Sequence, residues 1–187
     1  MEAIDVMQTV STRLVEGMML HNDLADVFDF IGMRGYKRMQ EYYGIWDMVS
    51  MRKVHRYAIN CMGHILPEET PKYDSLSNRL TGYSRTDLSP QDRTAYLRRA
   101  MSKWIEWEQA TLHDMESAAS TLRTMGEVCA ACKVECLVGH VAKELKCAMR
   151  KEVELSSVNY DLVFVMQEQT KIHDCYRCKT AKACKRL

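Results

Sequence analysis

The three prolines of this chain lie close together, at positions 67, 71 and 90, and the rest of the sequence is free of helix-breaking residues of this kind. On both sides of this stretch, apolar residues recur at alternating steps of three and four, which is typical of amphipathic helices that bury one face. The sequence therefore predicts an all-α protein without strands. Its four main helices carry buried stripes over residues 4–31, 36–65, 97–122 and 128–149.

The connections between these helices differ in length. Gly32 and Gly35 provide a short turn after the first helix, and Gly126 provides another after the third. Between the second and third helices, residues 67–90 form a long connection that ends at Ser89-Pro90, a favourable helix start. Helices joined by a short turn pack antiparallel, whereas a connection that spans the bundle makes the second and third helices parallel. A fifth helix is predicted from Ser156 or Ser157, either separate from the fourth or continuous with it.

This order of elements resembles the ferritin-like superfamily, in which a long crossover links two helix pairs and a small fifth helix follows. The resemblance implies a four-helix bundle with an additional C-terminal helix. We expect this domain to occupy residues 1–174, followed by a basic, cysteine-containing tail over residues 175–187. The resemblance also implies inward-facing metal ligands, with a Glu from each of two helices and a Glu-x-x-His pair from each of the other two. The chain departs from that pattern, since the nearest pair, His140 and Glu144, has the reverse order and a spacing of four.

One metal-capable residue of each predicted helix falls on its inward stripe, and these residues are His21, Asp47, Glu108 and Glu135. At a rise of 1.5 Å per residue, we expect His21, Asp47 and Glu108 at similar depths, and Glu135 nearer the end of the bundle. Three interpretations follow. His21 is a core histidine hydrogen-bonded to a neighbouring acid, a ligand of iron or another divalent ion, or an exposed or interface residue.

The cysteines form two groups. A C-x-x-C turn supplies two zinc ligands at a suitable separation, so the tail residues are candidates for a zinc site, with free thiols or a redox pair as alternatives. These tail residues are His173, Cys175, Cys178 and Cys184. The other group, Cys129, Cys132 and Cys136, is predicted to pack in the core, because a thiol is small and apolar.

Composition limits the classes of function. The formal net charge of +1 gives no overall attraction to nucleic acid, and no apolar run approaches the length that a transmembrane helix needs. We therefore expect a soluble protein without membrane or specific nucleic-acid partners. Eight cysteines are too few for a disulfide-held miniprotein, which favours reduced thiols and a cytoplasmic location. The motifs of common enzyme classes are absent, which leaves catalysis open. The sequence favours a noncatalytic binding or assembly scaffold that could form homo-oligomers, with a ferritin-like binder of iron or zinc as the alternative.

Overall fold

The computed structural model describes residues 2–67 and 70–156, and these residues form four long helices without any strand. The prediction of an all-α, four-helix protein is confirmed. A π-helical turn, Ala58–Met62, follows the second helix, and two short 3₁₀ turns lie in the long connection at Ser77–Leu80 and Arg85–Asp87. The long helices are α1, Ala3–Phe30; α2, Arg34–Tyr57; α3, Pro90–Thr124; and α4, Val128–Ser156.

Local sequence explains where these helices begin and end. At the start of α3, the Ser89 hydroxyl accepts a hydrogen bond from the Asp92 amide, and Pro90 occupies the first helical position, as predicted. Gly32 and Gly126 adopt positive φ angles of 91° and 83° in the two short turns. Glycine suits both positions because it has no Cβ to clash in that conformation. Each short turn therefore produces an antiparallel helix pair, α1 with α2 and α3 with α4.

The long connection runs along α1 from its beginning to its end. The Gln8 side chain donates a hydrogen bond to the Pro67 carbonyl, whereas Arg85 lies 3.3 Å from the Asp29 carboxylate. Helix α3 consequently starts beside the end of α1 and runs in the opposite direction to it. Arg13 near the start of α1 pairs with Asp114 in the second half of α3. Helices α2 and α3 are therefore parallel, as the long connection predicts.

A buried carboxylate on α1 fastens this connection to the bundle. Asp23 accepts hydrogen bonds of 2.7 to 2.9 Å from two side chains and two backbone amides of the connection. Burial works against ionisation here, but these hydrogen bonds hold the pKa of the Asp23 carboxyl below its usual value. The donors are the Tyr73 and Ser75 hydroxyls and the amides of Leu76 and Ser77.

The core consists of two apolar clusters, one at each end of the bundle. The upper cluster surrounds Phe28 and Trp104, and the lower one surrounds Leu14 and Leu122. The backbones approach closely between α1 and α2, between α3 and α4, and between α1 and α3. Helices α2 and α4 form the fourth neighbouring pair of the bundle, and their backbones make the least contact of the four pairs. Polar side chains occupy the level between the two clusters.

The predicted stripe of the fourth helix is wrong by about one residue at most of its positions, although Ala131 is buried as predicted. The buried positions of α4 include Ala130, Val134, Leu137, Val141 and Ala148, each displaced from the expected set. Val128 and Met149, which were expected inside, are exposed, as are Cys129, Cys132 and Cys136, so their predicted packing in the core is also wrong. At the end of the second stripe, Ile65 is 82% exposed because the helix has already ended.

Several predictions lie outside the described residues. These are the fifth helix, the domain boundary at 174/175, and the tail candidates His173, Cys175, Cys178 and Cys184. Within the described part of the chain, no helix combines the length and the hydropathy that a membrane span requires.

Candidate metal centre

A layer of buried polar side chains lies between the two apolar clusters. We refer to it as the polar layer, and all four helices contribute to it. Its members are 0 to 8% exposed, so water is largely excluded from them. Buried polar groups need partners, which makes their arrangement informative. They are His21 from α1, Gln40 and Asp47 from α2, Glu108 and Thr111 from α3, and His140 and Glu144 from α4.

His21 presents one ring nitrogen to two acids. Its Nδ1 lies 2.6 Å from Gln40 Oε1 and donates a hydrogen bond to it. The hydrogen bond with Gln40 raises the pKa of His21, but burial has the larger effect and lowers this pKa to about 4. The imidazole is therefore neutral at neutral pH, and its Nε2 carries a lone pair.

This Nε2 lies 3.6 Å from Asp47 Oδ2 and 3.7 Å from Glu108 Oε1. Those distances are too long for hydrogen bonds. Within the described residues, neither Nε2 of His21 nor Oδ2 of Asp47 has a hydrogen-bond partner. Electron-rich nitrogen and oxygen atoms thus face one another across a gap, an arrangement that a cation between them would stabilise.

Glu144 completes the group from the fourth helix. Ligand atoms of His21, Glu108 and Glu144 all lie within 4.8 Å of one another. Metal–ligand distances of about 2.0 to 2.2 Å are typical for nitrogen and carboxylate oxygen, so one ion could reach all three after small side-chain movements. Asp47 faces the same nitrogen of His21 and is the natural fourth ligand. The set of donors is therefore one imidazole and three carboxylates.

The carboxyl groups of the layer favour their protonated forms. Burial raises the pKa values of Asp47, Glu108 and Glu144, and the negative charge of Glu108 raises those of Asp47 and Glu144 further. Three unpaired negative charges in a dry core would be costly. Binding a divalent cation would supply the missing positive charge and release protons from these carboxyls.

Neighbouring side chains hold the acids in place. The Trp104 indole Nε1 donates a 3.0 Å hydrogen bond to Glu108 Oε1, and His140 Nε2 lies 2.6 Å from Glu144 Oε1. Burial, and then the positive charge of Lys143, lower the pKa of His140 to about 3, so this ring is also neutral. Hydrogen bonds of this kind fix the orientation of groups that bind metals.

A glycine makes room for Asp47. A Cβ atom at Gly17 would lie 2.4 Å from Asp47 Oδ2 and 2.6 Å from Cη2 of Trp107. Such distances are far below van der Waals contact, so a side chain at position 17 cannot coexist with this arrangement. The absence of a side chain at Gly17 is therefore part of what positions the Asp47 carboxylate.

The structure brings three of the four predicted core residues together, His21, Asp47 and Glu108. The fourth, Glu135, is a correction: its side chain is 42% exposed and forms a 2.6 Å ion pair with Arg123 on the surface. Glu144, at the level of His21, replaces Glu135 as the inward-facing acid of α4, because this helix is rotated by about one residue from the predicted orientation. The HVAKE segment could have indicated Glu144 as a site residue, because His140 and Glu144 are four residues apart and share a helix face.

Comparison with known proteins adds no further constraint on this site. No family model matches the chain, and no curated protein matches it either. The function is therefore inferred from the arrangement of the side chains.

Proposed function

We propose that this protein is a ferritin-like bundle that binds a divalent transition-metal ion in its polar layer. The ligands are His21, Glu108 and Glu144, with Asp47 as the fourth. One observation carries the proposal: donor atoms from three helices converge within 4.8 Å in a buried site, where the facing His21 Nε2 has no hydrogen-bond partner among the described residues. A core built only for stability has no need of three clustered acids.

The ferritin-like assignment of the fold is supported by helix directions. Two antiparallel pairs are joined by a long crossover, α2 and α3 run parallel, and the acids meet at mid-height between the pairs. Bundles with one crossover build metal sites in this way, from side chains of facing helices. The site proposed here differs from the superfamily pattern, since the histidine of α1 stands alone and the α4 pair reads His-x-x-x-Glu.

The donors indicate which metals would fit. Carboxylate and imidazole ligands suit iron(II), manganese(II), cobalt(II) and zinc(II), whereas copper(I) prefers sulfur. Iron and zinc are the physiological candidates we favour. When bound, such an ion supplies Lewis acidity. The protein's own groups contribute a neutral His21, held by Gln40, and a dry, shaped cavity around the carboxylates.

A cobalt titration tests this proposal. Protein stripped of metal is titrated with Co²⁺ and followed by visible absorption, with metal content measured independently by mass spectrometry. We expect one tight site, and we expect Glu144→Gln to weaken binding by at least about 100-fold, since outer partners alone often contribute 10- to 100-fold. The matched control is Glu135→Gln on the same helix, where the surface ion pair with Arg123 is lost and binding should be unchanged.

Two results would count against the polar layer. One is equal Co²⁺ affinity for Glu144→Gln and the wild type. The other is binding that survives every core substitution and disappears when Cys175 and Cys178 are both changed to serine in the full-length chain, which would move the site to the tail.

A second candidate function, assembly, has a separate observation in its favour. Ile45 and Val49 lie one turn apart on α2 and are 58% and 40% exposed. Adjacent exposed apolar side chains are typical of surfaces that contact another protein. Light scattering tests this candidate: we expect an oligomer for the wild type and a smaller species for Ile45→Glu/Val49→Glu, whereas a monomeric wild type would contradict it.

A further inference from the structure

A pair of stacked rings separates the polar layer from solvent on the side of α2 and α4. The ring of Trp46 lies on that of His140 with centroids 3.3 Å apart and planes inclined by only 9°. Trp46 is partly buried, and His140 is the most exposed member of the polar layer at 8%. These two rings therefore form the outer surface of the site on this side.

The boundary between α2 and α4 is also the most loosely closed side of the bundle. Backbone approach between these helices is the least of the four neighbouring pairs. By contrast, α1 and α2 meet closely at Gly44, where an added Cβ would lie 3.4 Å from His21 Cβ. Between α1 and α3, Gly17 permits even closer packing, because an added Cβ would lie 2.6 Å from Trp107. Large side chains, rather than backbone, fill the space between α2 and α4.

This loosely closed side leads directly to a proposed ligand. His140 Nε2 lies 2.6 Å from Glu144 Oε1, so only one side chain separates Trp46 from the carboxyl group. Above and below the polar layer, the two apolar clusters block the axis of the bundle. The Trp46–His140 stack therefore lies between the polar layer and solvent on the most loosely closed side of the bundle.

We propose that the boundary between α2 and α4 is the entrance through which a cation reaches the polar layer, and that Trp46 is its cover. This inference rests on the proposed function. Trp46 is not among the donors of the site: its ring stacks on His140, the neighbour of Glu144, and also packs against the lower cluster. It therefore controls how fast the ion enters and leaves, while His21, Asp47, Glu108 and Glu144 determine how tightly the ion is held.

Stopped-flow measurement of Co²⁺ exchange on the full-length protein tests the inference. Trp46→Ala removes the cover, so we expect the association and dissociation rates each to rise by about tenfold, the upper range for the loss of an aromatic stack. Since both rates change equally, the dissociation constant stays at the wild-type value. Trp46→Phe keeps a stacked ring and should remain near the wild-type rates. Tyr57→Ala is the control, because it truncates a partly buried aromatic residue of α2 that packs on the lower cluster.

A second readout needs no metal. Trp104 and Trp107 lie beside the polar layer, and their fluorescence reports access of acrylamide to it. We expect quenching of these two residues to increase in Trp46→Ala relative to Trp46→Phe. Trp46→Leu, which retains apolar bulk, gives the same comparison if the alanine variant does not fold.

The outcomes separate the two proposals. Failure of the wild type to bind Co²⁺ overturns the proposed function, and the entrance with it. If the wild type binds Co²⁺ but Trp46→Ala leaves both rates and the quenching unchanged, the entrance lies elsewhere. If Trp46→Ala binds Co²⁺ more weakly with an unchanged association rate, Trp46 serves to position the ligands. That result would also overturn the inference.

Discussion

Replacement of Gly17 by alanine would place a methyl group in space that the Asp47 carboxylate and the Trp107 ring now occupy. The added carbon would lie 2.4 Å from Asp47 Oδ2 and 2.6 Å from the ring of Trp107. Ordinary contacts between such atoms are about 3.5 Å, so both groups must move by about 1 Å, or α1 must shift away from them. Because both neighbours belong to or border the polar layer, this substitution tests how tightly the site is built.

Two opposing effects set the magnitude. Overpacking of a core typically costs about 1 to 3 kcal/mol in the free energy of unfolding. Glycine to alanine within a helix contributes about 0.5 to 1 kcal/mol in the other direction. The net expectation is a loss of up to about 2.5 kcal/mol. Displacement of Asp47 should also weaken Co²⁺ binding by about tenfold, the lower end of the range for disturbed metal surroundings.

Gly139 provides the matched control. It lies within α4, and an added Cβ there would meet nothing within 4 Å. Gly139→Ala should therefore show only the helix-propensity gain of about 0.5 to 1 kcal/mol and unchanged metal affinity. The difference between the two variants isolates the steric cost at position 17. Urea denaturation followed by circular dichroism gives the free energies, and Co²⁺ titration gives the affinities.

Our account of the site would be refuted by a Gly17→Ala variant that gains as much stability as Gly139→Ala and binds Co²⁺ like the wild type. That result would mean that Asp47 is not held against α1 in the way the structure indicates.

Three further measurements probe other features. Asp23→Ala should destabilise the protein by about 3 kcal/mol, because it leaves the donors of the connection unpaired. The control Asp74→Ala, at an exposed ion pair, should cost less than about 1 kcal/mol. Equal losses of unfolding free energy in urea denaturation would contradict the anchoring role of Asp23. The raised pKa of Glu144 means that its stabilising contribution is complete below the unfolded pKa and is lost as the pH rises. The metal-free wild type should therefore lose stability with increasing pH more steeply than Glu144→Gln, by up to about 1.4 kcal/mol per pH unit, and equal slopes would argue against a protonated Glu144. Thiol labelling mapped by mass spectrometry should modify the four exposed cysteines of the described region quickly. Cys147 is buried and should react only when the protein unfolds. Rapid labelling of Cys147 would show that the upper cluster opens in the folded protein.

The sequence predicts the helices and their directions because each long stripe and each turn carries a local signal. The third stripe is an example: Met101, Trp104, Glu108 and Met115 are all buried as expected. The helical rise of 1.5 Å per residue was also enough to bring His21 to the depth of Asp47 and Glu108. One regular spacing thus accounts for the fold and for three of the four proposed ligands.

The fourth helix shows where such reasoning ends. Its sequence is apolar on more than one face, and Val128, Met149 and Val153 remain exposed in the structure. Two stripes one residue apart differ by a rotation of about 100°, which exchanges Glu135 for Glu144. Only packing against the other three helices decides between them. Asp23 is a second case, because its partners lie about 50 residues away and no local pattern pairs them.

The division of the bundle into two helical hairpins has a consequence for assembly of the site. His21 and Asp47 belong to the first hairpin, and Glu108 and Glu144 to the second. Either half alone carries only two donors, so a complete coordination shell arises only when the halves dock. A bound ion would then link them, and at 100 times its dissociation constant it would add about 2.7 kcal/mol to the docked state. A chain severed in the connection should accordingly reassemble from two fragments more readily when metal is present.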